Sequence, residues 1–406
     1  MNKVLYIILI SLFSLTVFSC AKSDDSKTAT TDNTTSSSDD SSSSSVPRGF
    51  VAVGNEGTIV KSTDNGSSFD NVTSPGGWDL GGVVFGNTTL VAVGQAGVVF
   101  SSTDNGSTWT RWMDWVNSSN FNGVTFGNDI FVAVADDGII IRSTNGSTWN
   151  NVTSLTANAN HIIGVTFGNN TFVAVGYSGN IIRSTDNGSS WDNATSPTGN
   201  HLKGVTFGNN TFVAVGSSGN IIRSTDNGSS FDNATSPTAN HIIRVTFGNN
   251  TFVAVSYSGN IVRSTDNGSS FDNVTSPTAN DLRGVTFGNN TFVAVGASGN
   301  ILRSTDNGSS FDNATSPTAN DLSGITFANN TFVAVGDYIV RSTDNGSSFD
   351  NATSGTNHLV GANHLQGVGF GNNTFVAVGG SGTIVRSTDN GSNWDNTTSP
   401  TGKNLY

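Results

Sequence analysis

Residues 204–237 read GVTFGNNTFVAVGSSGNIIRSTDNGSSFDNATSP. Inside them, Ser224-Thr225-Asp226-Asn227-Gly228-Ser229-Ser230-Phe231 has the form S-x-D-x-G-x-x-[WF]. Copies of this octet start at Ser62, Ser102, Ser184, Ser224, Ser264, Ser304, Ser342 and Ser387, and a ninth, one residue short, spans residues 143–149. The spacing is mostly forty residues. A period in this range marks a solenoid or a propeller.

Within the unit, Val205-Thr206-Phe207 alternates and stops at the turn signal Gly208-Asn209-Asn210. Phe212-Val213-Ala214-Val215 is a second short strand, ended by Gly216-Ser217-Ser218-Gly219. Ile221-Ile222-Arg223-Ser224-Thr225 is a third, followed by the hairpin signal Asn227-Gly228. Residues 230–235 form a fourth before Pro237. Four antiparallel strands per repeat is the content of a propeller blade. The strands are labelled A to D in chain order.

A two-residue Asn227-Gly228 loop predicts that Asp226 faces Ser229, Ser224 faces Phe231 and Arg223 faces Asp232. The last pair recurs as Lys61/Asp70, Arg183/Asp192, Arg263/Asp272, Arg303/Asp312, Arg341/Asp350 and Arg386/Asp395. Opposite charges across a ladder add about 0.2–1 kcal/mol each, so these pairs are expected to be structural. The octet aspartates are Asp64, Asp104, Asp186, Asp226, Asp266, Asp306, Asp344 and Asp389. They are expected to accept backbone N–H groups around the turn. A calcium role has one carboxylate per loop to support it. The octet aromatic is expected to fill the core between blades.

The octet resembles the Asp-box (BNR) repeat of sialidases and other β-propellers. The wider unit, V-x-F…F-V-A-V-G-x-x-G-x-I-x-R-S-T-D-x-G-x-x-W, is similar to repeats of photosystem II stability and assembly factor-like propellers. The resemblance covers nearly all of residues 50–400. It implies an all-β propeller and leaves function open, since such repeats occur in enzymes and in binding proteins alike. The expected fold is thus about nine four-stranded antiparallel blades over residues 48–406. Nine B-C-D units are present but eight A strands. The first blade therefore lacks its inner strand unless residues 41–46 or the extreme C-terminus supply it. A ring with an incomplete seam is expected, with an open arc, its edge strands exposed, as the alternative.

Composition agrees with a turn-rich β protein: 34% hydrophobic, 11% charged, with 48 glycines among 406 residues. The net charge is −12, and there is no basic patch, so nucleic acid is not an expected partner. Residues 1–19 read as a secretory signal: Lys3 precedes an apolar run at residues 4–18. Val17-Phe18-Ser19-Cys20 resembles a bacterial lipobox, which implies lipidation at Cys20, the only cysteine. More than one acyl chain gives stable membrane anchoring. Within residues 20–47, positions 21–46 form a Ser/Thr/Asp tract without apolar periodicity, expected to be a disordered tether. Ala21 is not aspartate, which favours the outer membrane or cell surface over the inner membrane. The chain is expected to be a monomer.

Catalysis is not expected. Glu56 is the only glutamate, the arginines belong mainly to the repeated ladder, and no carboxylate pair of the glycosidase kind stands out. No metal or cofactor motif is present. Binding is better supported, because the repeats differ from one another at two places: the D-to-A link and the B-to-C turn. An up-and-down blade brings these to one face, opposite the octets. The edited link residues are His161/Ile163, His201/Lys203, His241/Arg244, Asp281/Arg283, Asp321/Ser323 and His364/Gln366. The edited turns carry Tyr177, Ser217, Tyr257, Ala297 and Gly380. Ligand candidates are His161, Tyr177, His201, Lys203, His241, Arg244, Tyr257, Asp281 and Arg283, with Trp112 and Trp115 from the second unit. A glycan or an envelope protein fits such a surface; neutral change in exposed loops would give the same pattern. Trp112 and Trp115 read either as seam packing or as a sugar platform. A periplasmic scaffold for a membrane complex is the alternative role, and a sialidase-like hydrolase a third.

Overall fold

The computed structural model describes residues 50–62, 70–104, 106–112, 119–152, 161–328, 330–351, 353–354, 365–371, 374–380, 383–390, 392–396 and 404–405. The signal, Cys20 and the tether lie outside these. The described chain consists of short strands and one-turn 3₁₀ segments, gathered into nine sheets; eight are sequential in the chain, and the ninth adds Thr353–Ser354 parallel to its last strand. Blade 5 is representative: A Leu202–Gly208, B Thr211–Gly216, C Ile221–Ser224 and D Asp232–Asn233, all antiparallel neighbours. Seven sheets, blades 2–8, have four strands. The A strands of successive blades pack side by side and so form the inner ring.

Strand B explains why the blades assemble. Phe212, Val213, Ala214 and Val215 are all fully buried. Successive side chains of a strand point to opposite faces. Phe212 and Ala214 accordingly share a core with Val173 and Val175 of blade 4, joined by the octet aromatic Phe231. Val213 and Val215 share the next core with Phe252 and Ala254 of blade 6. Each blade is therefore sandwiched between two cores, and each buried side chain of this size contributes about 1.5–3 kcal/mol relative to exposure.

Polar contacts then fasten each octet to the blade before it. Asn267 of blade 6 donates to Thr211 Oγ1 of blade 5, and Arg223 Nη1 of blade 5 donates to the Asn267 carbonyl at 3.1 Å. Arg183, Arg263, Arg303 and Arg341 repeat the contact with Asn227, Asn307, Asn345 and Asn390 at 2.7–3.1 Å. A Cβ on the octet glycine Gly228, whose φ is +79°, would stand 2.8 Å from Val173 Cγ2 of the preceding blade. Nearer the channel, the Phe207 ring lies so close over Gly168 that a Cβ there would be 2.2 Å away.

Two expectations are corrected here. The register Arg223↔Asp232 is as predicted and repeats around the ring. Yet Arg183, Arg223, Arg263, Arg303 and Arg341 each donate from the guanidinium to a carbonyl of the next blade, and Asp232 is exposed. The long side chain reaches a partner that local pairing cannot reveal. The two-residue turn is as predicted, with the Ser229 N–H donating to the Asp226 carbonyl at 3.4 Å, but the predicted pairing of Ser224 with Phe231 is not made. Asn227 and Gly228 both have positive φ, but the C–D ladder ends at Arg223↔Asp232. Phe231 donates its N–H to the Thr195 carbonyl of blade 4 at 2.9 Å instead of pairing with Ser224. Parallel bridges (Thr195↔Ser230, Thr235↔Ser270, Thr315↔Ser348) tie the D strands of blades 4, 5 and 7 to the following octets.

The ring closes. Blade 1 has three strands, Phe50–Val53, Ile59–Ser62 and Asp70–Asn71. Leu405 bridges Gly54 antiparallel, as Leu202 pairs with Gly216 in blade 5. It also donates its N–H to the Gly379 carbonyl of blade 9 at 2.9 Å, as Leu80 donates to Gly54 one blade on at 3.0 Å. Leu405 is fully buried with Val60 of blade 1 and Val376, Val378 and Ile384 of blade 9. The extreme C-terminus thus starts the missing inner strand, and the open arc is excluded. Leu405→Ala is expected to lower stability by about 2–5 kcal/mol, read as an earlier denaturant midpoint and faster proteolysis at the seam. An unchanged midpoint would mean that Leu405 does not hold the ring shut.

Candidate functional site

The octets occupy one face. Asp226 Oδ1 accepts the Ser224 hydroxyl at 2.7 Å and the Ser230 N–H at 3.0 Å, and Oδ2 accepts the Ser230 hydroxyl at 2.7 Å. Asp104, Asp186, Asp266, Asp306, Asp344 and Asp389 make the corresponding sets of bonds. Asp64 lies outside the described residues. Burial pushes these carboxyls up, but the bonds to the charged form outweigh it. Asp266 sits at about 2, held there by the Ser270 hydroxyl and amide, the Ser264 hydroxyl and the Ser269 amide. Asp104 and Asp344 also sit at about 2, and Asp186, Asp226, Asp306 and Asp389 are lowered.

A folded-state pKa below the unfolded one stabilises the fold above the unfolded pKa, and the contribution is lost as pH falls through the folded value. For Asp266 those limits are 3.8 and about 2. The urea midpoint is expected to fall steeply across this window, and Asp266→Asn should flatten the dependence. A midpoint indifferent to pH there would refute a stabilising role for the ionised octets.

The opposite face is built from the B–C turns and D–A links. The B–C turns of blades 1–7 each hold a non-glycine residue with positive φ, such as Ser178 at +54° or Ser258 at +59°. The N–H of that residue is captured by the link side chain of the next blade. His201 Nδ1 accepts from Ser178 at 3.0 Å and His241 Nδ1 from Ser218 at 3.1 Å. Asp281 accepts from Ser258 at 2.8 Å, Asp321 from Ser298 at 2.9 Å, Asp79 from Glu56 at 2.8 Å and Asn120 from Ala96 at 3.1 Å. Accepting at Nδ1 places the proton of a neutral imidazole on Nε2. Three of the residues read as ligand candidates, His201, His241 and Asp281, thus have a structural duty. The sequence held the signal: the position carries only side chains able to accept a hydrogen bond. His161 differs, its Nδ1 standing 2.7 Å from Asp136 Oδ1 without hydrogen-bond alignment.

Other candidates converge. Tyr177 lies between His161 and His201, with ring centroids at 5.2 and 4.5 Å. Burial and the Asp136 carboxylate raise its hydroxyl above the ordinary value. Two blades on, Tyr257 has the His241 ring at 6.2 Å and the Lys203 ammonium at 6.0 Å over its face. Burial lowers the Lys203 ammonium. Arg244 stands where the A strands of blades 4 and 5 have Gly164 and Gly204; a Cβ at Gly204 would meet nothing nearer than 3.8 Å, so the position has room. Burial pulls the Arg244 guanidinium below its ordinary value, with Tyr257 opposing. Arg283 belongs elsewhere: it pairs with Asp321 of blade 8 at 2.9 Å. Trp112 packs against the core shared by blades 2 and 3 and donates its backbone N–H to Val99 at 3.0 Å. Trp115 and His364 lie outside the described residues. Among the described residues, no three His, Cys, Asp or Glu side chains gather as a metal site.

Because the link position needs an acceptor, His201→Asn is expected to leave stability within about 0.5 kcal/mol of the parent. His201→Leu, which returns the Ser178 N–H to water, should cost about 1 kcal/mol. Chemical denaturation of both variants checks this; equal losses would remove the capping role.

Nine antiparallel blades around an inner ring, with Asp-boxes on one face, define a BNR-type β-propeller. The chain belongs to the family described as photosynthesis system II assembly factor YCF48, whose model matches residues 87–337, more than half of its length. No curated protein matches the chain. Among solved structures, a computationally designed protein, Ika8, is similar in fold, with a TM-score of 0.58 at 14% identity over 74% of this chain and 92% of that one. A structure titled YCF48 bound to D1 peptide has a TM-score of 0.47 at 16% identity, over 62% of this chain and 87% of that one. YCF48 from Cyanidioschyzon merolae has a TM-score of 0.46 at 18% identity, over 62% and 90%.

Proposed function

We propose that this chain is a non-catalytic scaffold of the bacterial cell envelope that holds a protein partner on the B–C/D–A face of blades 4–6. The observation that carries the reading is the grouping of Tyr177, Lys203, Arg244 and Tyr257 in adjacent blades. These positions lie beside the capping residues, so their side chains are not needed to close the turns. Aromatic rings and arginine are the side chains that dominate binding energy at protein interfaces. Two cations together favour a segment carrying carboxylates. Membership of an assembly-factor family supports a protein partner over the glycan that the same rings could stack.

The envelope location rests on sequence alone: Lys3, the apolar run at 4–18 and the lipobox-like Val17-Phe18-Ser19-Cys20. In this reading Cys20 carries the lipid, residues 21–46 form the tether, and the propeller stands off the outer membrane. The test returns each position to a residue that sister blades carry there: Tyr177→Ser, Lys203→Ser, Arg244→Gly and Tyr257→Ser in one chain. Crosslinking in native membranes should recover a partner protein with the parent and lose it more than about tenfold with the variant, a loss of ~1.4 kcal/mol or more. The melting temperature should stay unchanged, and Cys20→Ser should release the chain from the membrane fraction. Undiminished recovery by the variant would sink the reading, and selective signals on a glycan array would move it to a carbohydrate.

A further inference from the structure

Blade 3 carries the short octet, Ser143-Thr144-Asn145-Gly146-Ser147-Thr148-Trp149. One residue is missing, so Asn145 stands both for the box aspartate and for the asparagine before glycine. In complete octets these are two residues with two duties. Asp226 gathers the donors of its own loop. Asn227 serves the blade before: its Nδ2 donates to Thr171 Oγ1, its Oδ1 accepts from Asn169 at 3.3 Å, and its backbone carbonyl accepts from Arg183. Asn267, Asn307 and Asn345 repeat this clamp.

Asn145 has the aspartate's partners instead. Its Oδ1 accepts the Ser147 and Thr148 N–H groups, each at 2.9 Å, and the Ser143 and Thr148 hydroxyls, each at 3.1 Å. The preceding blade differs on its side of the clamp. Ser101 occupies the strand C place that holds arginine in blades 4–8, and Asn87, the counterpart of Asn169, donates to the Asp129 carbonyl at 3.5 Å. Asn145 is exposed, whereas Asn187, Asn227, Asn267, Asn307 and Asn345 are half-buried. Gly146 stays pinned to blade 2: a Cβ there would stand 2.6 Å from Thr89 Cγ2. Its N–H donates to Ser143 Oγ at 2.7 Å, and glycine puts no side chain beside that nitrogen.

We propose that Asn145 is a self-modifying site at which the folded loop turns the carboxamide into a carboxylate. The Gly146 nitrogen adds to Asn145 Cγ and gives up its proton. The oxygen that becomes negative is Oδ1, which already faces four donors at 2.9–3.1 Å, the arrangement of an oxyanion hole. The Cγ–Nδ2 bond breaks and Nδ2, taking up a proton, leaves as ammonia. A five-membered imide then joins Gly146 N to Cγ. Water adds at Cγ, the carbonyl that the same donors polarise, and the Cγ–N bond breaks, returning a proton to the peptide nitrogen. The sum is asparagine and water to aspartate and ammonium. Hydrogen bonds to an ionised acceptor are stronger than to a neutral one, so the donors favour the product, and blade 3 acquires the acid its octet lacks. At Asn227 and its equivalents the same reaction would have to break bonds between blades.

The test incubates the freshly purified full chain at mildly alkaline pH, folded and in guanidinium chloride, and follows each Asn-Gly step by peptide mapping with mass spectrometry. Folded, Asn145 is expected to convert about tenfold or more faster than Asn227, Asn267, Asn307 or Asn345, and faster than it does itself when unfolded. The folded chain should yield mainly aspartate there, the unfolded chain mainly isoaspartate. Thr148→Val, which removes one hydroxyl donor, should slow the folded reaction and leave the unfolded rate unchanged. Asn145→Asp should raise the denaturant midpoint at neutral pH. Equal rates at all these steps, a folded Asn145 slower than the unfolded one, or a folded product dominated by isoaspartate would overturn the proposal. So would a Thr148→Val chain that reacts as fast as the parent, or a midpoint lowered by Asn145→Asp.

Discussion

Everything in this ring depends on one tetrapeptide facing two ways. Phe-Val-Ala-Val in strand B sends its first and third side chains to one neighbouring blade and its second and fourth to the other. A single blade exposes both faces and cannot bury them; only a neighbour on each side can. Stability is therefore a property of interfaces, as in other repeat architectures. The polar contacts rank second. They cross the same interfaces, from Arg223 to Asn267 and from Asn267 to Thr211, and they fix the orientation of blades that the apolar core already holds together.

That ordering explains why the seam is the weak place and how it is managed. A circle of such blades needs its first and last members to complete each other. Val60 of blade 1 meets Val376, Val378 and Ile384 of blade 9, and Leu405 fills the corner between them. One buried leucine, with one backbone bond to Gly379 and one bridge to Gly54, stands in for the start of a strand. The contact joins residues some 350 positions apart in a chain of 406, so its loop-closure entropy is the largest in the fold.

The period, the four-strand unit and the register were legible in the sequence because they are local. Alternation within Val205 to Phe207, the apolar run Phe212 to Val215 and the turn residues around them fix these features without reference to other blades. What escaped was the contact between blades. Arg223 and Asp232 are ladder neighbours, yet a flexible guanidinium chose a carbonyl 44 residues away. The link histidines stood out as edits and so resembled ligands. Their geometry shows an acceptor requirement that His201, Asp281 and Asn120 all meet. Variation there is constrained chemistry, not freedom. The convergence of Lys203, Arg244 and Tyr257 was legible in part, since all three depart from the repeat, but their mutual distances come only from the closed ring.

The two faces therefore divide the available chemistry in a way the fold dictates. On the octet face, Asp226 and its equivalents are surrounded by donors of their own loop, and the Asn227 and Arg183 side chains are taken up by the neighbouring blade. A ligand there would have to displace bonds that hold the ring. On the other face the link acceptor is committed, but the first turn residue and the second and third residues of strand A enter the repeat through their backbone, and their side chains differ from blade to blade. A Cβ at Gly204 meets only ordinary contacts, which is why blade 6 tolerates Arg244 without a change of register. Recognition can be written at those positions without touching the cores. The side chains found there in blades 4–6 are the large aromatic and cationic ones, Tyr177, Lys203, Arg244 and Tyr257.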